Sequence, residues 1–123
     1  MLFRSSLGIL NQAIKKKYVF ITIPYSNKGF KLIKLLYQLG YINTYNTVNQ
    51  QINIYLKLFK NEIILNKLYF YSRPGHIKSI SYKQLIDLKK KDKFYILFNN
   101  LGICTSSTAL LYKKGGIIIA EIT

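Results

Sequence analysis

Three lysines spaced three residues apart are the clearest chemical signal in the sequence. Lys28, Lys31 and Lys34 fall on one side of a helix that is predicted over residues 28–39. Ammonium groups in such a row can contact the phosphates of a nucleic-acid backbone. The alternative interpretation is a solvated helix face, which is what most runs of lysine form.

The charge balance of the whole chain favours the first interpretation. The 123 residues include 19 Lys and Arg but only 4 Asp and Glu, so the formal charge is +15, and 50% of the residues are hydrophobic. A chain this apolar folds, yet its self-repulsion costs stability until a polyanion binds. We therefore expect an anionic partner, with further lysine clusters at residues 15–17 and 89–91. The composition disfavours an ordinary soluble enzyme that acts on a neutral metabolite.

A run of hydroxyl side chains forms a second group of candidate contacts. Ser106, Ser107 and Thr108 stand at the polar end of a strand predicted over residues 103–106. Hydroxyls can hydrogen-bond to base edges, sugars and phosphates, but they cap helices equally well. Lys113 and Lys114 follow in a turn that continues into two glycines, and they add two more cations.

Groups that could catalyse a reaction or bind a metal are scarce. His76 follows a Pro-Gly turn without a neighbouring acid or nucleophile, so we expect a surface residue. Cys104 lies in an apolar strand, where a small core residue is expected, and one Cys with one His cannot close a structural zinc site. The four carboxylates are scattered through the sequence: Glu62, Asp87, Asp92 and Glu121. We predict no catalytic residue, no cofactor, no metal and no small-molecule substrate.

The predicted elements of the N-terminal half place the lysine row. Phe3, Leu7, Leu10 and Ile14 mark one face of a first helix. Residues 18–23 read as a buried strand that Pro24 ends. Ser26 or Asn27 is the expected N-cap of the second helix. The apolar positions of this helix predict a core stripe, and Gly40 fits just past its end. The stripe comprises Phe30, Ile33 and Leu36/Tyr37.

A hairpin is predicted to complete this half. Residues 41–53 are polar, with a short strand expected at their start, and residues 52–58 alternate with a core face that includes Leu58. Lys60-Asn61 is a turn, and residues 62–71 are the predicted returning strand. Ser72-Arg73-Pro74-Gly75 then marks the best domain boundary.

The C-terminal half reads as mostly β. The pattern predicts a strand over 76–81, a helix over 82–91, strands over 94–98 and 103–106, and a central final strand over 117–122. The predicted fold is therefore α+β with two small domains. An N-terminal αβαββ domain spans residues 1–71, and a C-terminal domain with one or two short helices spans 72–123.

The order of short motifs resembles a known family, small-subunit ribosomal protein eight, also called the universal S-eight family. The resemblance covers nearly the whole chain, about residues 1–123. It rests on the helix, strand, Pro24, Ser26, helix, Gly40-Tyr41-Ile42 pattern, on Ser72-Arg73-Pro74-Gly75, on Asn100-Leu101-Gly102-Ile103, on Ser107-Thr108, and on Gly115-Gly116 before an apolar strand.

This resemblance implies a structural protein that binds small-subunit ribosomal RNA in the central domain early in assembly, next to other small-subunit proteins. It implies two small α/β-type domains, of which the C-terminal one grips a distorted RNA helix through a Ser-Thr-Ser loop. Carried onto this sequence, with the lysines added, the candidate RNA-binding residues are Ser26, Lys28, Lys31, Lys34, Arg73, Ser106, Ser107, Thr108, Lys113 and Lys114.

The chain departs from the family pattern after Thr108. Ala109, Leu110 and Leu111 stand in place of the family's Ser, Lys and Gly, and the segment up to Gly115 is shorter than usual. This shortening predicts that a short helix is missing there. Lys113 and Lys114 are hypothesised to compensate for the family residues that are replaced there.

The residue choice points to an AT-rich genome, because lysine outnumbers arginine 17 to 2 and tryptophan is absent. We expect a mitochondrial ribosomal protein, with a plastid or another AT-rich organelle as the alternative. No apolar stretch is long enough for a membrane span, so no membrane insertion is expected. Two other functions stay open: a basic module on an anionic membrane or on RNA in general, and an RNA-processing enzyme.

Overall fold

Helices and antiparallel sheets alternate in a computed structural model that describes residues 2–70 and 79–122, which confirms the predicted α+β class. The contacts divide the chain into two units, Met1–Lys67 and Leu68–Thr123. The motif on which the predicted boundary rests, residues 72–75, lies outside the described residues. The boundary at residues 71/72 therefore stays a prediction.

The first unit is a sheet covered by two helices on one face. Its elements are α1 (Leu2–Lys16), β1 (Phe20–Pro24), α2 (Asn27–Gln38), β2 (Ile42–Val48), β3 (Gln51–Leu56), β4 (Leu58–Phe59), β5 (Glu62–Ile63) and a 3-10 helix (Ile64–Lys67). The three longer strands form an antiparallel sheet in the order β1-β3-β2. Ile21, Ile23, Ile52 and Ile54 are buried on the same face. Since α1 packs on β1 and α2 on β2, these isoleucines form the core beneath the helices.

The strand that the sequence predicted over residues 18–23 is β1, which begins two residues later and includes Pro24 as its last residue. Its expected burial is wrong at the start, where Tyr18, Val19 and Phe20 are about half exposed. The Leu56 N–H donates to the Val19 carbonyl and the Tyr25 N–H donates to the Gln50 carbonyl. This alternation turns the backbone of Pro24 away from β3, toward the free edge of the sheet. A proline, which has no N–H to donate, is tolerated in a strand at such a position.

The predicted long hairpin is wrong. The strand expected over residues 62–71 breaks into β5, the 3-10 helix and β6 (Leu68–Phe70), and only two residue pairs join β4 to β5. Leu58, expected in the core, is 49% exposed. The cause is a long-range contact: β6 pairs with the last strand of the chain, a partner that no local pattern can reveal.

The second unit is an antiparallel sheet arranged around its final strand. Its further elements are β7 (Ser79–Ile80), α3 (Tyr82–Lys90), β8 (Phe94–Asn99), β9 (Gly102–Thr105), α4 (Ser106–Leu111) and β10 (Gly116–Ile122). The sheet order is β6-β10-β8-β9, and β7 also pairs with β10, so the final strand is central as predicted. Leu85 of α3 and Ala109 of α4 join Leu97 and Ile118 in one buried cluster.

The helix expected to be missing after Thr108 is present as α4, which corrects that expectation. The strand ends at Thr105, one residue earlier than predicted, and the hydroxyl residues start a helix instead of forming a loop. The Thr105 Oγ1 accepts a hydrogen bond from the Thr108 N–H at 3.3 Å and so caps the helix. Ala109 and the leucines after it are good helix formers, and the buried Ala109 anchors the helix to the core.

All four of these helices end in the same left-handed turn. In each, a residue two or three positions past the helix donates its N–H to a carbonyl five residues back, as Lys114 does to Ala109 at 2.8 Å. The residue before it has a positive φ: Lys17, Gly40, Asp92 or Lys113, at 59°, 89°, 56° and 57°. Only Gly40 adopts this conformation freely, because a Cβ atom disfavours it by about 1 kcal/mol or more.

Close backbone packing fixes the start of β10. A Cβ added to Gly115 would overlap the carbonyl oxygen of Ile80, and one added to Gly116 would lie 2.8 Å from the carbonyl oxygen of Phe98. The two glycines therefore let three segments approach one another: the residues before α3, the end of β8 and the start of β10.

We expect Gly115→Ala to lower the free energy of unfolding by about 1–3 kcal/mol, because the backbone must move apart to admit a methyl group. Urea denaturation monitored by circular dichroism measures the change. Gly8→Ala is the matched control: nothing lies within 4 Å of its added Cβ, so this helical position should gain about 0.5–1 kcal/mol. A Gly115→Ala chain as stable as the wild type would contradict the packing.

Candidate nucleic-acid interface

Ser26 starts the helix that carries the lysine row. Its backbone is extended, with φ −148° and ψ 154°, and its Oγ accepts a hydrogen bond from the Gly29 N–H at 3.0 Å. Of the two N-caps that the sequence allowed, the structure has Ser26. The hydroxyl hydrogen of Ser26 is not used in this bond, so it can still be donated to another acceptor.

The three lysines of α2 lie opposite its buried face. Lys28, Lys31 and Lys34 are all exposed. The residues that turn inward are Gly29, Leu32, Ile33 and Leu36. We call Lys28, Lys31 and Lys34 the α2 lysine face. The geometry agrees with the sequence-based placement of these cations.

The predicted core stripe of α2 is correct only in part. Ile33 and Leu36 are buried, but Leu32, which the prediction omitted, is buried with them. Phe30 is half-buried, and Tyr37 is 48% exposed. The core side of the helix is therefore rotated away from the two aromatic residues, which reach its flank.

These aromatic residues form a row beside the α2 lysine face that the sequence analysis missed. Ring centroids lie 5.6 Å apart for Tyr25 and Phe30, 5.9 Å for Phe30 and Tyr45, and 5.5 Å for Tyr37 and Tyr45. The Lys34 Nζ is 5.4 Å from the Phe30 ring centroid. The row joins α2 to β2 and holds one ammonium group at a fixed place. The spacing of Phe30 and Lys34, four residues apart on one helix, was the available signal.

The three hydroxyl residues of the second unit have different environments. Ser106 is buried, with 4% of its surface exposed, and its Oγ accepts a hydrogen bond from the Tyr95 N–H at 3.2 Å. Thr108 is half-buried, with its Oγ1 3.3 Å from that of Thr105. Ser107 is exposed in the first turn of α4. Ser106 thus serves the fold, whereas Ser107 is the hydroxyl most open to a partner.

Lys113 and Lys114 are exposed at the other end of α4 from Ser107. Six residues of helix are about 9 Å long, so a single RNA strand can span both ends. Lys113 holds the left-handed conformation at φ 57° that ends the helix. The fold therefore presents both ammonium groups beside the glycines that start β10.

Asn99 is a positioning residue that the sequence analysis did not single out. Its Nδ2 donates to the Gly115 carbonyl at 2.9 Å, and its Oδ1 accepts from the Leu101 N–H at 2.8 Å. One side chain thus joins the β8–β9 turn to the segment that follows Lys114. An Asn at the end of a strand before a Gly-containing turn was the available signal.

The structure describes most of the groups that were considered for catalysis. Among residues 2–70 and 79–122, no group of three or more His, Cys, Asp or Glu side chains could hold a metal ion. Cys104 is buried, and burial raises the pKa of its thiol, while a hydrogen bond from Asn99 acts in the opposite direction. A thiol with a raised pKa is a poor nucleophile. The candidate residues Arg73 and His76 lie outside the described residues.

Comparison with known proteins decides the family. The family model described as ribosomal protein S8 matches residues 5–123. The chain belongs to the ribosomal protein S8 family. It is 27% identical to small ribosomal subunit protein uS8m of Acanthamoeba castellanii over 98% of each chain. It is 31% identical to small ribosomal subunit protein uS8 of Wigglesworthia glossinidia brevipalpis, over 90% of this chain and 86% of that protein.

Membership of the S8 family confirms the resemblance inferred from the motifs and identifies a structural ribosomal protein. A third relative, small ribosomal subunit protein uS8 of Mycoplasmopsis pulmonis, is 29% identical over 92% of this chain. In the part of the chain that the structure describes, no helix has the length and apolar character needed to cross a bilayer.

We expect the Cys104 thiol to resist modification in the folded protein. The aromatic disulfide dithiobis(nitrobenzoate) at pH 8 should react about a hundredfold more slowly with the native chain than with the chain unfolded in guanidinium, because reaction requires local opening. Absorbance of the released thiolate follows the reaction. Equal rates in the two states would show that the thiol is accessible.

We expect Lys113→Gly to raise the free energy of unfolding by about 1 kcal/mol, because glycine adopts the left-handed conformation without a Cβ penalty. Lys114→Gly is the matched control, since it removes the same charge next to the left-handed position and should give no gain. Thermal melts of the two variants make the comparison. A loss of stability in Lys113→Gly would contradict the assignment of this turn.

Proposed function

We propose that this ribosomal protein is a structural component of the small ribosomal subunit, where it binds small-subunit ribosomal RNA in the central domain and contacts neighbouring small-subunit proteins. The observation that carries the proposal is the α2 lysine face, three exposed cations opposite a buried apolar face in a chain with a formal charge of +15. The relatives named above are all small-subunit proteins. The protein acts by holding RNA in place and performs no catalysis.

The α2 lysine face supplies contacts to the phosphate backbone. Lysines three residues apart are separated by about 4.5 Å along the helix axis, and their flexible stems let each ammonium group reach a different phosphate. Such contacts fix the position of the RNA but do not read its sequence. Ser26, at the start of the same helix, can donate its free hydroxyl hydrogen to a phosphate oxygen.

The ends of α4 supply a second set of contacts in the other unit. Ser107 offers an exposed hydroxyl that both donates and accepts hydrogen bonds, and Thr108 offers a partly exposed one. Lys113 and Lys114 neutralise the phosphates of the same strand. Ser106 acts through Tyr95, by holding the start of α4 against β8. Arg73, proposed from the sequence alone, is a cation of the kind that binds phosphates with two hydrogen bonds.

The proposed location is the mitochondrial ribosome. A relative whose name marks a mitochondrial protein, uS8m, is similar over 98% of the chain, and the excess of lysine over arginine, 17 to 2, suits an AT-rich organelle genome. Fractionation of the source cells, with detection of this chain in mitochondrial small subunits, tests the location. A plastid or another AT-rich organelle is the alternative outcome.

The test of RNA binding compares two triple variants on a small-subunit rRNA stem. We expect replacement of Lys28, Lys31 and Lys34 by Gln to weaken binding of the RNA. The slope of log affinity against log salt should become shallower by about two to three, because fewer phosphate contacts mean that fewer counterions are released on binding. Replacement of Lys89, Lys90 and Lys91 by Gln removes the same charge from the C-terminal end of α3 and should have a smaller effect.

Filter binding at several salt concentrations measures both slopes. A wild-type affinity that does not change with salt would refute the phosphate contacts. The double variant Ser107→Ala with Thr108→Ala tests α4 separately. If it binds the stem as well as the wild type while the α2 triple variant does not, the role given to the hydroxyls is wrong.

A further inference from the structure

The short hairpin formed by β4 and β5 carries an exposed aromatic ring that the proposed RNA contacts do not use. Phe59 is 63% exposed and its neighbour Leu58 is 49% exposed. The hairpin strands are only two residues long, so neither apolar residue is needed for a core. Large apolar side chains at such a tip commonly mark a contact surface.

Lys60, beside this ring, has a strained backbone. Lys60 and Asn61 form the turn with φ values of 52° and 65°, which is the geometry of a type I′ turn. Asparagine and glycine are the residues that favour this turn, and lysine is not. The Lys60 Nζ lies 5.4 Å from the Phe59 ring centroid. A strained residue that keeps a charge beside an exposed ring points to a function.

The end of α1 brings one more cation to the hairpin, on the side where Leu58 lies. Lys17 and Leu58 line one cleft together with Asn61 and Glu62. Lys17 also has a left-handed backbone, at φ 59°. Three further exposed lysines stand next to these elements in the sequence: Lys15, Lys16 and Lys57. We call Phe59, Lys60 and Lys17 the hairpin cluster.

The hairpin cluster is distinct from the contacts at the start of α2. It lies where β1 begins and β3 ends, because Phe20 pairs with Tyr55 there. Ser26 follows the other end of β1, at Pro24. A five-residue strand is about 16 Å long, so the two places are separated by the length of the sheet.

We propose that the hairpin cluster binds an unpaired nucleotide of RNA, with the base stacked on Phe59 and the flanking phosphates on Lys60 and Lys17. The proposal rests on the proposed function and adds a second contact in the same unit. The ring has the Lys60 ammonium group over it and one acid, Glu62, as its cross-strand partner, so cations outnumber acids at the hairpin. This setting suits a base joined to phosphates, since aromatic side chains stack on unpaired bases and cations bind the backbone. Another basic ribosomal protein would be repelled by the same lysines.

The decisive experiment compares two RNAs, a small-subunit rRNA stem with blunt ends and the same stem with an unpaired extension. We expect Phe59→Leu, which keeps an apolar side chain but removes the ring, to weaken binding of the extended stem roughly five-fold or more and to leave the blunt stem unchanged. Phe20→Leu is the matched control. The Phe20 ring is also exposed, but it pairs with Tyr55 at 4.8 Å, so both RNAs should bind as before.

Lys60→Asn separates charge from backbone strain. Asparagine suits the turn, so the variant should be at least as stable as the wild type in a thermal melt, yet bind the extended stem several-fold more weakly. If both Phe59→Leu and Lys60→Asn bind the extended stem like the wild type, the hairpin cluster is not an RNA site.

The proposal is also wrong if these variants bind RNA normally but no longer bind a neighbouring small-subunit protein. Failure of the wild type to bind either RNA refutes the proposed function itself.

A photo-crosslink gives an independent readout on the folded wild-type chain. With 5-iodouridine in the unpaired extension, we expect mass spectrometry to find the adduct at Phe59. An adduct at Phe20 or Tyr55 instead would place the base on the sheet and overturn the proposal.

Discussion

The ammonium groups of lysine must stay in water unless an anion accompanies them, and this constraint shapes both units. A buried, unpaired charge costs far more than any single packing contact returns, and four acids cannot pair with 19 cations. Every lysine that the structure describes is exposed. The cores are mostly aliphatic, with Phe70 and Tyr95 as buried aromatic residues. The lysines stand on outer helix faces, in turns and in the last turns of α1 and α3, where the helix dipole favours a cation.

Rigid elements hold these charges at fixed places, which matters for binding RNA. The Ser26 cap sets where α2 starts, and the leucines and isoleucines beneath it set which way the α2 lysine face points. In the second unit, Thr105 sets the start of α4 and the Asn99 side chain ties the segment after it to the β8–β9 turn. Cations that are already in position lose less freedom on binding than those of a flexible basic tail. A folded domain therefore binds RNA more tightly than a flexible tail with the same number of lysines.

Features encoded by neighbouring residues could be predicted, and features encoded by distant ones could not. The cap at Ser26, the turn at Gly40 and the central final strand follow from local chemistry and periodicity, and the structure confirms them. The structure of residues 62–71 depends on pairing with β10, about fifty residues further along the chain. The local sequence pattern therefore predicted one long strand where the structure has three short elements. At α4 the family pattern predicted a missing helix, whereas the helix propensity of residues 109–111 and the Thr105 cap favour one. The aromatic row beside α2 needs Tyr45 from β2, a contact that helix spacing alone cannot supply.

Lysines with a left-handed backbone conformation at helix ends and in the hairpin turn lower the folding stability of the free protein. Each holds a conformation that glycine would hold with less strain, so the free chain keeps a smaller reserve of folding stability than its fold allows. Binding to a polyanion adds stability by mass action and lowers the repulsion among the cations. Unassembled copies therefore unfold more often and meet proteases more often than assembled ones. Part of the folding stability of this protein therefore comes from the polyanion that it binds.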